Sequence, residues 1–161
     1  MILTSFIAIA VLVGIDQLIK FWAKTNLING NDIIVIENIF RFKYAENKGA
    51  AFGILSEQRW IFISVTIIVI CIGFYLIIAK KLTNKFYSWS AILLIAGGLG
   101  NIIDRVFIGY VVDMFDAYFM NFAIFNFADT CVTIGCILLV IGAFFVKDKS
   151  SEKVNEIEFD S

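Results

Sequence analysis

Two aspartates, Asp113 and Asp129, lie beside long apolar segments in a chain that contains no histidine. A carboxylate is costly where water is scarce, so each of the two is a candidate for function. Two neighbouring carboxylates can share one proton, so that one acts as a base while the other acts as an acid. Because no histidine is available, Asp113 and Asp129 are the natural candidates for an acid–base pair.

The composition indicates a membrane protein. Of the 161 residues 60% are hydrophobic, and the mean hydropathy is +0.89. Soluble domains are about 45–50% apolar, so a soluble core of this size does not account for the excess. The net charge of −1 gives no basis for binding nucleic acid. We interpret the three cysteines, Cys71, Cys131 and Cys136, as small core residues, and we predict no metal site and no cofactor.

Four apolar segments are long enough to cross a bilayer as helices, which needs about 20 residues each. The predicted spans are approximately 2–22, 60–79, 88–104 and 127–146. The first segment lacks the basic start and the small-residue cleavage site of a secretory signal peptide, so we predict a retained helix. The polar residues 147–161 are predicted to form a disordered tail. The predicted fold class is therefore an all-α polytopic membrane protein with a single membrane domain, residues 1–146.

The distribution of lysines predicts the orientation of the spans. Lysines are densest in the loop after the second span and in the C-terminal tail, at Lys80, Lys81, Lys85, Lys147, Lys149 and Lys153. Short basic loops remain in the cytoplasm, so both termini are predicted to be cytoplasmic. The end of the first span, the end of the third and the start of the fourth then lie at the outer face.

Polar residues concentrate at these outer ends. They are Asp16, Lys20, Asn101, Asp104, Arg105, Asn126 and Asp129, with Asp113 in the connecting loop on the same side. Residues three or four apart share one face of a helix, so Asp16 can meet Lys20. A cluster of this kind at one depth predicts a functional site. Taken singly, Asp16 and Lys20 are equally consistent with a structural ion pair, and Arg105 with an anchor that reaches lipid phosphates.

Residues 24–59 are too long for a simple connection, and residues 31–55 are predicted to form an outer β region. Ile33–Ile36 is β-branched, and Phe40–Tyr44 alternates between aromatic and basic side chains. Both patterns are typical of strands, and the alternation indicates a half-buried one. Asn47–Gly53 is rich in small residues, which is consistent either with a turn or with an edge that pairs with an extended peptide.

The segment between Arg105 and Asn126 is predicted to be a loop rich in aromatic residues. Aromatic side chains at this level form an interfacial belt, and they also suit a lipidated substrate. Asp116 is expected to be solvated near the tip of this loop. In the third span, Gly97, Gly98 and Gly100 are expected to allow close helix packing.

Five motifs occur in a fixed order along the chain. They are Asp16–Lys20, Asn47–Gly53, Gly100–Arg105, Val111–Phe115 and Phe125–Asp129. Together these motifs resemble the lipoprotein signal peptidases, also called signal peptidase II. The resemblance extends from about Asp16 to the end of the fourth span, and five motifs in order make it highly specific.

The resemblance implies a reaction and a set of site residues. Members of that family are membrane aspartic endopeptidases of bacteria, which cleave prolipoproteins just before the diacylglyceryl-modified cysteine. Asp113 and Asp129 match the catalytic pair. Asn47, Asn101, Arg105 and Asn126 match residues that bind substrate or shape the site. Asp16, Lys20 and Asp104 match positions that support its structure.

The resemblance also implies an architecture and partners. The family has four membrane helices, a small extracytoplasmic β-sheet called a cradle, and an outer loop or helix over the site. It implies a multi-pass protein of the bacterial plasma membrane, surrounded by membrane lipid, with diacylglyceryl-prolipoproteins as substrates. The cyclic peptide globomycin is the inhibitor that the resemblance implies. We expect a monomer.

Our mechanistic hypothesis places a water between Asp113 and Asp129, with one carboxylate as the base and the other as the proton donor. Two readings outside enzymology remain open. One is a proton-coupled transporter in which the aspartates form a relay. The other is a non-catalytic assembly factor whose outer sheet binds a partner peptide.

Overall fold

The computed structural model describes residues 2–49, 59–82, 84–120 and 122–145. Its helices are α1 (Ile2–Asn26), α2 (Arg59–Ile78), α3 (Lys85–Phe107) and α4 (Phe127–Phe145). Each is long and apolar enough to cross a membrane, which confirms the predicted fold class. Helix α1 continues four residues beyond the predicted span, and α3 extends the third span by three residues at each end. The predicted tail, 147–161, lies outside the described residues, as do residues 50–55 of the predicted β region.

Helix α3 is the centre of the bundle, because it packs against each of the other three helices. Its buried Ile92 and Ile95 meet Ile70 of α2 and Ile9 of α1 in one apolar cluster. Glycines permit the close approach: a Cβ at Gly97 would collide with the Ala128 carbonyl oxygen of α4. The expectation of close packing at the glycines of α3 is therefore confirmed.

The outer surface of the bundle is apolar, as lipid contact requires. Large side chains such as Ile7, Ile72 and Phe144 are more than half exposed, and a soluble protein rarely exposes so much contiguous apolar surface. Cys71 and Cys136 are also exposed, and of the three cysteines Cys131 alone is buried. The interpretation of all three as core residues is wrong for these two, because an apolar stretch in a bilayer can face lipid as well as the core.

A small antiparallel sheet lies at one end of the bundle. Its strands are β1 (Ile33–Ile36), β2 (Phe40–Asn47) and β3 (Val111–Asp116), in that order. A turn at Asn38, with φ of 59°, joins β1 to β2. In the register of β2 and β3, Ala45 pairs with Asp113 and Asn47 with Val111. We refer to the end of the bundle that carries this sheet as the sheet end of the bundle.

Strand β3 corrects the prediction of a loop at residues 111–116. Five of its six residues are buried, so the sequence shows no alternation of apolar and polar side chains. Val112 and Met114 pack against Ala23 and Leu27 at the end of α1. The strand is thus paired with β2 and covered by the end of α1, and Asp113 lies in a strand instead of a loop.

Asp116 is a second correction, because it is 5% exposed and not solvated. The Arg41 Nε donates to its Oδ2 at 2.8 Å, and Arg41 also pairs with Asp32 at 3.1 Å. The same guanidinium stacks over Tyr118 in a short 3-10 turn, Tyr118–Met120. These contacts attach the segment after β3 to the β1–β2 hairpin.

Candidate active site

Asn126 connects the two predicted catalytic aspartates. Its Nδ2 donates to the Asp113 Oδ1 at 2.6 Å. Its Oδ1 accepts from the backbone N–H of Asp129 at 2.9 Å, and its own N–H donates to the Asp129 Oδ2 at 3.1 Å. This reciprocal pattern is a capping box that starts α4. The local sequence around Asn126 therefore places Asp129 in the first helical turn and directs it towards Asp113.

Asn101 of α3 completes the contacts of Asp129. Its Nδ2 donates to the Asp129 Oδ1 at 2.8 Å. Its Oδ1 accepts from the Asn126 Nδ2 at 3.2 Å. Each oxygen of Asp129 therefore has an N–H donor.

Asp113 is held from β2 as well as from α4. The Asn47 Nδ2 donates to its Oδ2 at 3.0 Å, and the carboxyl is 2% exposed. Burial, together with the negative charge of Asp129, raises the pKa of Asp113 to about 7, against the opposing effect of the Asn126 and Asn47 donors. A carboxyl with this pKa can hold or release a proton near neutral pH, as acid–base catalysis requires.

A buried ionic cluster holds the backbone next to the two predicted catalytic aspartates, Asp113 and Asp129. Lys20 lies 2.9 Å from Asp16 and 3.1 Å from Asp104, and all three are nearly inaccessible. The Asp16 Oδ1 accepts from the N–H of Ala128, and the Asp104 Oδ2 accepts from the N–H of Val112. Each acceptor therefore fixes the backbone one residue before a predicted catalytic aspartate.

Arg105 lines the cleft beside Asp129. It is half-buried, its guanidinium lies 5.4 Å from the centre of the Phe62 ring, and its Nη2 donates to the Gly49 carbonyl at 3.4 Å. The negative charges that act on this guanidinium include Asp129 and Asp113. These contacts support the interpretation of Arg105 as a residue that shapes the site.

A cleft of about 530 Å³ opens beside Asp129. Its lining is mainly apolar and aromatic, with a few polar groups: Asn47, Gly49, Phe62, Arg105, Phe122, Ala123, Ile124, Phe125, Asp129, Thr130, Thr133 and Ile134. An apolar cleft with convergent polar groups is typical of a site that binds a small molecule or a chain segment. Asn47, Arg105 and Asp129 thus face the cleft directly, while the buried Asp113 is reached from it through its hydrogen bond with Asn47.

All nine residues predicted from the sequence lie at the sheet end of the bundle, in one connected group. Three polar side chains in this group were not predicted. The Gln17 Nε2 donates to Asp16, to Asp104 and to the Gly100 carbonyl. Thr130 and Thr133 line the cleft, and their spacing from Asn126 and Asp129 places them on the same helical face, a signal that the sequence did contain.

The chain is similar to known proteins over most of its length. The sequence profile of the family described as Signal peptidase (SPase) II matches residues 8–145. A lipoprotein signal peptidase of Clostridioides difficile (strain 630) is 42% identical over 142 residues, which cover 88% of this chain and 95% of that protein. One of Latilactobacillus sakei subsp. sakei (strain 23K) is 43% identical over 149 residues, covering 92% and 97%.

The fold is also similar to solved structures. One is described as a bacterial membrane enzyme structure obtained by the in meso method at 2.3 Å resolution. It superposes with a TM-score of 0.80 at 37% identity, covering 91% of this chain and 93% of that one. A second, at 1.9 Å resolution, gives a TM-score of 0.79. The profile, the curated relatives and the fold agree, and the chain belongs to the signal peptidase II family.

Proposed function

We propose that this multi-pass membrane protein is an aspartic endopeptidase that removes the signal peptide from diacylglyceryl-modified prolipoproteins, cleaving just before the lipidated cysteine. Membership of the signal peptidase II family supports the substrate class. The contact of Asn126 with both Asp113 and Asp129 is the observation that carries the catalytic assignment. That contact gives two carboxyls a common hydrogen-bond partner, and one of the two, Asp129, lines the cleft.

The mechanism needs one proton shared by the two aspartates, and the proton belongs to the pair. The ionised carboxylate removes a proton from a water, whose oxygen attacks the scissile carbonyl carbon. The protonated carboxyl donates its proton to the carbonyl oxygen, which gives a neutral tetrahedral diol. Collapse of the diol breaks the C–N bond. The leaving nitrogen takes a proton from the first aspartate, and the second regains one from the hydroxyl, so the pair returns to its initial state.

The cleft suits a substrate with an extended backbone and apolar groups. Asn47 and Arg105 present N–H donors to it, and backbone carbonyls are the acceptors that such donors bind. Phe62, Phe122 and Ile134 supply apolar surface for the signal peptide or for the acyl chains. We also expect globomycin to compete for this cleft, so that it raises KM without changing kcat.

Charge supports an orientation for the site. Lys80, Lys81 and Lys85 lie at the end of the bundle opposite the sheet, in and next to the loop between α2 and α3. With this loop in the cytoplasm, the sheet end and both aspartates lie at the outer face of the plasma membrane. That is the face at which the peptide bond of an exported prolipoprotein becomes accessible.

Two synthetic lipobox peptides, identical except for the diacylglyceryl group on cysteine, test the proposal with the protein in liposomes. Mass spectrometry is expected to show cleavage of the lipidated peptide, at the bond before the cysteine. Equal cleavage of both peptides, or cleavage at another bond, would contradict the proposed specificity. No cleavage by folded protein would contradict the peptidase assignment.

A further inference from the structure

Lys20 is a buried charge that the proposed mechanism does not use. Its side chain is 3% exposed, yet its ammonium has four oxygen partners. These are Asp16 at 2.9 Å, Asp104 at 3.1 Å, the Asn101 Oδ1 at 3.0 Å and the Gly100 carbonyl at 3.3 Å. Either carboxylate alone would balance its charge, so the contact with Asn101 needs a separate explanation.

Hydrogen-bond chemistry fixes the direction of the Asn101 amide. An ammonium group has donors and no acceptor, whereas an ionised carboxylate has acceptors and no donor. Asn101 lies between one of each, with Lys20 on one side and Asp129 on the other. The amide oxygen must therefore face Lys20 and the amide NH2 must face Asp129. The reversed amide would place two donors together and two acceptors together.

We propose that Lys20 is a positioning residue of the active site, which orients the Asn101 amide so that its NH2 donates to Asp129. The inference rests on the proposed function, because its consequence is a change in peptide cleavage. The same oriented oxygen accepts from the Asn126 Nδ2, which also donates to Asp113. The Lys20 ammonium thereby determines which N–H donors face Asp113 and Asp129.

The charges around Lys20 define what its removal would do. Asp16 of α1 and Asp104 of α3 contact Lys20 directly, and Asp113 of β3 is more distant. Asp129 of α4 is reached through Asn101. The neighbouring cation is Arg105 of α3. The positive charge of Lys20 opposes the rise in the pKa of Asp113. Removing the charge withdraws that opposition, so Asp113 is expected to ionise at a higher pH. The acid limb of the pH profile is then expected to move to higher pH.

A double-mutant cycle separates this role from a merely structural one. The variants are Lys20→Met, Asn101→Ala and both together, assayed on the lipidated lipobox peptide in liposomes. A hydrogen bond to a charged group contributes about 1.5–3 kcal/mol, so each single change is expected to lower kcat about 10- to 100-fold with little change in KM. Because Lys20 acts through Asn101, the double variant is expected to lose little more than either single variant.

Lys24→Met is the matched control, since Lys24 lies one turn further along α1 and is exposed. It is expected to keep the parental kcat and pH profile. Multiplicative losses in the double variant, or a parental kcat in Lys20→Met, would overturn the proposal. A loss in Lys20→Met without an upward shift of the acid limb would overturn it as well.

The double variant Asp16→Asn/Lys20→Met covers the case in which Lys20→Met alone fails to fold. It removes one buried charge of each sign and keeps an Oδ1 acceptor for the N–H of Ala128. If Lys20 only balances the charge of Asp16, this double variant recovers the parental kcat, which would overturn the proposal. If Lys20 orients Asn101, the double variant keeps a low kcat although its Tm is parental. Asp113→Asn and the parent are run beside it. A parent that does not cleave would overturn the proposed function and this inference together, whereas a cleaving parent confines any failure to Lys20.

Discussion

Replacement of Asp113 by asparagine is expected to abolish cleavage and, above pH 7, to make the protein more stable. Asparagine resembles the neutral carboxyl, and its Oδ1 can still accept from Asn126. Its NH2 replaces the oxygen that accepts from Asn47, and the loss of that hydrogen bond is the same at every pH. Burial raises the pKa of Asp113 from 3.8 to about 7. That difference means that ionising Asp113 in the folded protein costs about 4 kcal/mol more than in the unfolded chain. The asparagine variant has no charge to bury, so it does not carry this cost.

The effect has a definite dependence on pH. Below about pH 4 the carboxyl is protonated in both the folded and the unfolded chain, so ionisation adds no difference. Between about pH 4 and 7 the unfolded chain releases the proton while the folded protein retains it, and the free energy of unfolding falls as the pH rises. Above pH 7 the full cost of about 4 kcal/mol is present in the parent alone.

Thermal unfolding in detergent at pH 4.5 and pH 8 measures this difference. A chain of this size changes Tm by about 2–4 °C per kcal/mol, so the advantage of Asp113→Asn is expected to grow by on the order of 10 °C between the two pH values. Asp32→Asn is the control, because Asp32 is a partly exposed partner of Arg41. An advantage that is equal at both pH values would refute the assignment of a costly buried charge to Asp113.

Two further predictions concern stability. Gly100→Ala would place a Cβ 2.5 Å from the Asp16 Oδ2 and is expected to cost about 1–3 kcal/mol in thermal unfolding, whereas Gly14→Ala, with no atom within 4 Å of its Cβ, is expected to be neutral or stabilising. A smaller loss at Gly100 than at Gly14 would contradict the packing. Arg41→Met leaves the buried Asp116 unpaired and is expected to lower Tm, and Asp116→Asn in the same chain is expected to recover part of the loss. If Asp116→Asn recovers none of the lost Tm, the ion pair with Asp116 is not the way in which Arg41 stabilises the protein.

The sequence predicted most of the site because charge in apolar surroundings is a strong signal. Asp16, Lys20 and Asn101 lie within about three turns of the ends of α1 and α3, and Asp129 lies in the first turn of α4. A helical repeat is enough to say which of them share a face. Their common depth followed from the order of four spans and the distribution of lysines. Family resemblance added the roles, which geometry alone does not supply.

The sequence was least informative where the structure depends on distant partners. Strand β3 is buried on both faces, so Val111–Asp116 shows no alternation from which a strand could be recognised. Asp116 resembles a solvated loop residue, because its partner Arg41 is 75 positions away. Gln17 was missed for the same reason, since its amide contacts Gly100 and Asp104 of another helix.

Turnover of the lipidated peptide by Asp113→Asn and Asp129→Asn tests the central claim most directly. Asp116→Asn is the matched control, because Asp116 is a buried carboxylate on the same strand as Asp113. Acid–base groups contribute about 10²–10⁴-fold each. Both dyad variants are therefore expected to lose at least about 100-fold in kcat while folded, and the control to retain activity within a few-fold. Near-parental kcat in either folded dyad variant would contradict the account.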